Sequence, residues 1–438
     1  MADIKGRATE FLKKYSIFAD DICFDQELQK FIREMQDGLA GKSSSLGMLC
    51  TYISPEGEIA LNEPVIVMDA GGTNFRVAVV TFDSDKTPVI EDFKRYPMPG
   101  TNGEISKEEF FNTIADYLEP VIHRSNKIGF CFSYPTEILP NKDGRLIRFN
   151  KEVKVRDMVG QEIGKGLLEA LKQRGVKEEK SIVILNDTVA TLLGGKAAYP
   201  DRVFDSYIGF ILGTGMNTCY IEENVNIAKA HGLDAQGSTI INTESGGYDK
   251  APRGEIDTCL DSKTIDPGSQ QLEKMISGAY QGSLITEVIR RAISENMFSA
   301  EFKKRFEKVE VLSSRDIDEF CYYPYSSKYI LSECANHEAG QSDRLMLYYL
   351  IDGVIERAAK FVAVNLAAIM QKTGKGKNPL KPVCITAEGT TFYKSKLFRD
   401  KLNYYVRTYL NDELNIYCEF VKAENATLIG TAIAGLLN

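Results

Sequence analysis

A strand, a turn rich in Gly and Thr, and a second strand occur twice in this chain, and that echo restricts the fold more than any other feature. The first copy, PVIVMDAGGTNFRVAVVTF, starts at Pro64; the second, YIGFILGTGMNTCYIEE, starts at Tyr207. In each, an apolar β-rich run passes through Gly, Thr and Asn into another such run, the signature of a hairpin. Glycine at the turn supplies positive φ, reason enough for either copy alone. Two copies point further: small residues bare backbone N–H groups and a Thr hydroxyl at the tip, as a closely approaching phosphate chain requires. A duplicated cradle predicts two lobes facing one nucleotide.

The rest of the chain is consistent with that size and class. Its 438 residues, 43% of them apolar, suffice for two or three cored domains. Helical and strand patterns alternate without a dominant period, which argues for an α/β protein and against a repeat array. The net charge of −8 is dispersed and no Lys/Arg stripe interleaves with aromatics, so no nucleic-acid partner is expected. No apolar stretch reaches the roughly 20 residues of a membrane span. The opening MADIKGRATEFLKK reads as a polar helix and not a secretory signal, which predicts a cytoplasmic protein. Nine scattered cysteines form no Cys-x-x-Cys pair and give no zinc-like spacing. The three histidines, His123, His231 and His337, have no suggestive partners, leaving proton handling to carboxylates, Lys or Tyr.

Between and after the cradles, polar residues gather at strand ends, where ligand crevices of α/β sheets open. Ile128–Ser133 reads as a strand ending in Ser-Tyr-Pro, and Ser181–Leu185 as one ending in Asn186-Asp187-Thr188. Ser106-Lys-Glu-Glu109 reads as a capping box before a helix through Phe110, Ile114, Leu118 and Val121. A helix through Arg357–Gln371 breaks at Gly374, and the strand Val383–Thr386 leads to Glu388-Gly-Thr-Thr391 and another helix. Two motifs are excluded. Gly41-Lys42-Ser43 lacks the first glycine of a P-loop, its place being taken by Gln36, and DAGGTN lies between strands instead of opening the helix of a dinucleotide fold.

Taken in order, these segments resemble the hexokinases of the actin-like ATPase superfamily, from about Gly38 to the C-terminus. GLAGKSSSLGMLCTYI from Gly38 and DAGGTNFRV from Asp69 resemble the approach to the first phosphate motif and the motif itself. GFCFSYP from Gly129 and RFNKEVK from Arg148 are similar to the sugar-binding segment, and LNDTVATLL from Leu185 to the motif with the catalytic Asp. GTGMNTCYIEE from Gly213 resembles the second phosphate motif, and NTESGGYD from Asn242 and DPGSQQLEKMISGAYQGSL from Asp266 resemble further sugar-side signatures. AEGTTFYKS from Ala387 resembles the adenosine motif. Asn150, Thr136, Ser245, Glu388 and the segment Glu424–Gly430 depart from the family pattern.

The resemblance implies a duplicated actin-like ATPase (ribonuclease H-like) fold with a small and a large domain around a central cleft. The small domain is expected to take 64–187 plus 425–438, and the large domain 1–63 plus 188–424. The implied activity is transfer of the γ-phosphoryl group of ATP, with Mg²⁺, to the 6-hydroxyl of glucose or a related hexose, the first step of glycolysis. A catalytically weak, hexokinase-like sugar sensor is the alternative. By resemblance, Asp187 accepts the hydroxyl proton and Lys151 holds the sugar and offsets charge. Ser133, Asn150, Asn186, Asn217, Glu244 and Glu273 complete the hexose site. Asp69, Gly71, Gly72, Thr73, Asn74 and Arg76 belong to one phosphate cradle, and Gly213, Thr214 and Gly215 to the other. Gly389, Thr390 and Thr391 meet the nucleoside side, and Asp69 reaches Mg²⁺ through water.

Overall fold

The computed structural model describes residues 2–149, 153–338 and 340–438; the expected sugar ligands Asn150 and Lys151 lie outside them. The strands are β1 (Leu49–Cys50), β2 (Val65–Gly71), β3 (Asn74–Phe82), β4 (Pro88–Pro97), β5 (Lys127–Phe132), β6 (Thr136–Ile138), β7 (Gly144–Leu146) and β8 (Ser181–Leu185). They continue with β9 (Ser206–Leu212), β10 (Met216–Glu223), β11 (Ser238–Asn242), β12 (Val383–Glu388) and β13 (Cys418–Val421). One sheet runs β4-β3-β2-β5-β8 and the other β1-β11-β10-β9-β12-β13. In both, the three hairpin-linked strands are antiparallel and the next two are parallel, so the same topology appears twice. This is the duplicated fold expected from the paired cradles. The central strands β2 and β5 read as nearly unbroken apolar runs and are buried on both faces, as parallel strands covered on two sides must be.

The helices are α1 (Ala2–Lys14), α2 (Phe24–Leu39), α3 (Lys107–Leu118), α4 (Ile163–Gln173), α5 (Asp187–Ala198), α6 (Glu255–Ser262), α7 (Gln271–Ile276) and α8 (Gly278–Ser294). They continue with α9 (Ala300–Phe306), α10 (Ser314–Tyr322), α11 (Ile330–Cys334), α12 (Gly340–Thr373), α13 (Thr390–Lys394), α14 (Phe398–Tyr405) and α15 (Ala426–Leu437). Ser106 caps α3 by accepting from the Glu109 N–H at 3.1 Å; this is half of the expected capping box. The helix expected over Arg357–Gln371 is the second half of α12, a 34-residue helix at the centre of the main core. Arg357 is fully buried there because both its terminal nitrogens reach the Asp257 carboxylate of α6, at 2.7 and 2.8 Å.

The helix following each sheet's last strand, α5 after β8 and α15 after β13, packs against the other. Both are glycine-lined at the contact: a methyl group on Gly194 would overlap the Ala426 carbonyl, and one on Gly430 the Ala190 carbonyl. Each helix also rides on a central strand through glycine, α5 on Gly209 of β9 and α15 on Gly129 of β5. Backbone thus meets backbone, and the pair joins the two sheets with α5 presenting its N-terminus toward the crevice.

Candidate active site

A cavity of about 590 Å³ gathers residues that lie far apart in sequence. Ser133, Asn186, Asp187, Asn217, Glu244 and Glu273 all line it, together with Thr214 and Gly215 of the second hairpin tip. These are all the expected hexose contacts among the described residues.

Asn186 and Asp187 occupy the strand-to-helix turn after β8. Asn186 is the N-cap of α5, accepting from the Thr188 N–H at 2.9 Å, so its backbone geometry is set by ordinary capping chemistry. Asp187 follows as the first helical residue, and the Thr188 hydroxyl donates to its Oδ1 at 3.2 Å. Burial pushes the Asp187 carboxyl up to about 6, with smaller contributions from the charges of Asp69 and Glu244, against the Thr188 hydrogen bonds. A carboxylate so placed is ionised at neutral pH yet basic enough to take a proton.

Across the cavity, Glu244 is held in a left-handed conformation, φ 53°, uncommon for a long side chain. Its Oε1 accepts from Asn242 Nδ2 at 2.7 Å and from Asn217 Nδ2 at 3.4 Å, and burial raises its carboxyl above the ordinary range. Asn217 is itself fixed: Nδ2 also donates to Asn242 Oδ1 at 2.8 Å, while Oδ1 accepts from the N–H groups of Thr218 and Ser245. Asn217 therefore acts chiefly as the orienting member of a triangle with Asn242 and Glu244. Glu273, in the first turn of α7, accepts from the Met216 N–H through Oε2 at 2.9 Å, and burial raises its carboxyl as well. That oxygen explains Gly215, where a Cβ would lie 2.7 Å from it.

The first tip adjoins the same cavity. Gly72 turns the chain with φ 59°, and Gly72, Thr73 and Asn74 are exposed. Tyr134, which lines the cavity, donates its hydroxyl to the Gly72 carbonyl at 2.8 Å, and a Cβ on Gly71 would lie 3.6 Å from Ser133 Oγ. Asp69 is buried below this tip, paired across the hairpin with Arg76 at 3.3 Å; burial raises its carboxyl, partly offset by Arg76. Arg76 is thus engaged in the strand-face ion pair.

At the second tip the groups divide their labour. The Gly213 N–H closes the turn onto the Gly215 carbonyl at 3.0 Å, and the Gly213 carbonyl accepts from the Gly278 N–H and the Thr391 hydroxyl at 2.8 and 3.0 Å. Gly213 and the buried Thr391 are props, leaving Thr214 and Thr390 exposed. Gly389, at φ 114°, lets β12 pass directly against the tip, since a methyl there would overlap the Leu212 carbonyl. No side chain caps α13, so Thr390 and Thr391 are not its caps.

The sequence reading did not single out Asn242, Gln270, Arg148 or Tyr280 as cavity residues. Gln270, like Glu244, is left-handed at φ 48°. Its proximity to Glu273 within one motif was the available signal; the backbone conformation left no mark in composition.

The chain matches the Hexokinase family profile in two consecutive parts, over residues 8–197 and 207–437. It is 29% identical over 433 residues to Hexokinase-5 of Oryza sativa subsp. japonica, covering 92% of this chain and 84% of the relative. Hexokinase-1 of Nicotiana tabacum is 28% identical over 432 residues, covering 92% and 86%. Among solved structures, a hexokinase from Schistosoma mansoni complexed with glucose superposes with a TM-score of 0.79 over 99% of both chains at 24% identity, a likeness of fold. With both halves matched, in order and around one shared crevice, the chain belongs to the hexokinase family.

Proposed function

We propose that this protein is an active hexokinase that transfers the γ-phosphoryl group of ATP to the 6-hydroxyl of glucose or a related hexose, the entry step of glycolysis. The observation that carries the reading is Asp187: a carboxylate with its acidity tuned to about 6, at a helix N-terminus, in the wall of a cavity shared with two further half-buried carboxylates.

In this mechanism Glu244 and Glu273 accept hydrogen bonds from sugar hydroxyls, while Ser133 and Asn186 supply groups that both donate and accept. Asp187 receives the proton of the 6-hydroxyl as its oxygen attacks the γ-phosphorus; the bond to the bridging oxygen of ADP breaks, and ADP leaves with the electron pair. Positioned proton acceptance of this kind contributes about 10²–10⁴ in rate. Backbone N–H groups and the Thr214 hydroxyl at the exposed tips meet the phosphate oxygens, with Thr390 farther along. Lys151, Asn150 and Arg76 are assigned to sugar and phosphate by motif position.

The donor set also fits Mg²⁺. Among the described residues no group of three or more His, Cys, Asp or Glu is placed to hold a metal ion by itself, and a single buried Asp69 at the hairpin suits an ion that keeps several waters and takes the rest from phosphates. When bound through water to Asp69, it would neutralise phosphate charge. The proposed domain boundaries are 64–187 plus 425–438 and 1–63 plus 188–424, with sugar binding drawing the two together to exclude water.

The test is ADP release from Mg-ATP with and without glucose, together with formation of glucose 6-phosphate. Glucose-dependent release supports the kinase; tight glucose binding without release would establish the sugar-sensor alternative. As to location, no helix among the described residues is long and apolar enough to cross a membrane, and a cytoplasmic site of action is part of the proposal.

A further inference from the structure

The chain leaving β5 is tied to the first hairpin tip step by step. The Ser133 N–H donates to the Ala70 carbonyl at 3.0 Å, and the Tyr134 hydroxyl donates to the Gly72 carbonyl at 2.8 Å. On the far side of the turn the Met98 N–H donates to the Thr73 carbonyl at 3.0 Å. Tyr134 is only 3% exposed, and its ring packs against Phe132 and Phe149 at centroid distances of 4.9 and 5.2 Å. A side chain so enclosed keeps one rotamer, and its oxygen is a fixed point for the tip to hang on.

A trans peptide unit is planar, with its carbonyl and N–H pointing opposite ways. Gly71 pairs with Asn74, which makes Gly72 and Thr73 the two turn residues and the peptide unit between them the outermost part of the hairpin. Holding the Gly72 carbonyl inward on Tyr134 therefore points the Thr73 N–H outward. That N–H donates to no acceptor among the described residues. The second tip repeats the arrangement with other parts. There the Gly213 carbonyl is held by the Gly278 N–H and the Thr391 hydroxyl, and the Thr214 N–H of the same peptide unit likewise meets no acceptor among the described residues. In both copies the glycine carbonyl before the tip threonine is held from behind, and the threonine N–H is left free to donate. The clamps differ in kind: the second tip is held partly by backbone, the first by a phenol hydroxyl that one substitution can delete.

We propose that Tyr134 is a positioning residue for phosphoryl transfer: by holding the Gly72 carbonyl, its hydroxyl aims the Thr73 N–H at the phosphates of the donor. This rests on the kinase reading above and adds the side chain that orients the first cradle. Rotation of the Gly72–Thr73 unit would withdraw the N–H and swing a carbonyl oxygen, the negative end of the peptide dipole, toward a polyanion. Tyr134 also follows Ser133 directly, so a hexose contact and the clamp on the phosphate cradle are neighbours in the chain.

The experiment compares Tyr134→Phe with the parent. Phe keeps the ring and its packing and deletes only the hydroxyl. Gly72 is exposed, so water takes up its freed carbonyl, and the thermal midpoint is expected to stay within about 2 °C of the parent's. The expected result is a kcat/KM for Mg-ATP, at saturating glucose, lowered about threefold to tenfold, the worth of one hydrogen bond, with the glucose KM within about twofold. General loosening would instead lower the midpoint and raise the glucose KM together. That outcome, or a kcat/KM for Mg-ATP within about twofold of the parent's, would overturn the inference. If the parent phosphorylates no hexose, the proposed function falls instead, and amide hydrogen exchange over residues 71–74 in the two proteins decides the clamp. Faster exchange confined to that segment in Tyr134→Phe upholds it, and unchanged or generally faster exchange refutes it.

Discussion

Replacing Asp187 by Asn separates two consequences of one buried charge. The carboxyl is displaced from its ordinary 3.8 to about 6, chiefly by burial. At about 1.36 kcal/mol per tenfold change in acidity, keeping it ionised in the folded chain costs up to roughly 3 kcal/mol, a ceiling because the group borders an open cavity. The folded state binds this proton more tightly than the unfolded state does. Stability from this group is therefore greatest below about pH 3.8, declines as pH rises to about 6, and is constant above that. Asn preserves the shape, keeps an oxygen for the Thr188 hydroxyl and carries no charge. Asp187→Asn is expected to raise the unfolding free energy at pH 8 by up to about 3 kcal/mol, the gain shrinking toward pH 4, while turnover falls by about 10²–10⁴. Urea unfolding at several pH values measures the first and glucose-dependent ADP release the second. In the parent, kcat/KM should fall about tenfold per pH unit below about 6. A variant that is less stable than the parent at pH 8 and retains normal turnover would refute the reasoning and reduce Asp187 to a helix-terminal residue.

Three other substitutions probe the surroundings. Glu244→Gln is expected to raise the hexose KM about tenfold to hundredfold, the loss of a charge-assisted hydrogen bond, with the nucleotide KM within twofold; steady-state kinetics with each substrate varied decides it. Gly389→Ala places a methyl against the Leu212 carbonyl at φ 114°, and should cost at least about 2 kcal/mol in thermal unfolding and weaken nucleotide binding more than sugar binding. Arg357→Met leaves the Asp257 carboxylate buried without its partner, at a cost of about 3–5 kcal/mol. Adding Asp257→Leu should restore most of that loss in chemical denaturation.

What the sequence made legible was local. The hairpins at Val65–Phe82 and Ser206–Glu223, and the strand Ser181–Leu185, stand where apolar β-branched runs end at Gly, Asn or Asp. The strand expected at Ile128–Ser133 ends one residue earlier, though the Ser133 N–H still donates to the Ala70 carbonyl at 3.0 Å. The early half of α12, 340–356, lies ahead of the helix expected over Arg357–Gln371, and within that expected helix Arg357, Lys360 and Asn365 look like surface residues until their long-range surroundings are known. Motif resemblance carried Glu244 and Glu273 into the site, yet nothing local distinguishes them from exposed acids.

Where α5 and α15 touch without intervening side chains, no rotamer can change to absorb a displacement. Sliding along that seam is opposed by hard-core repulsion, which leaves rolling as the motion open to the sheets. In the proposed closure, Asp187 heads one of the two helices that meet at this seam, whereas Gly72 and Glu273 lie on elements outside it. If Asp187 is the proton acceptor as proposed, bulk introduced along this glycine-lined seam would shift its helix before it touched any group in the cavity.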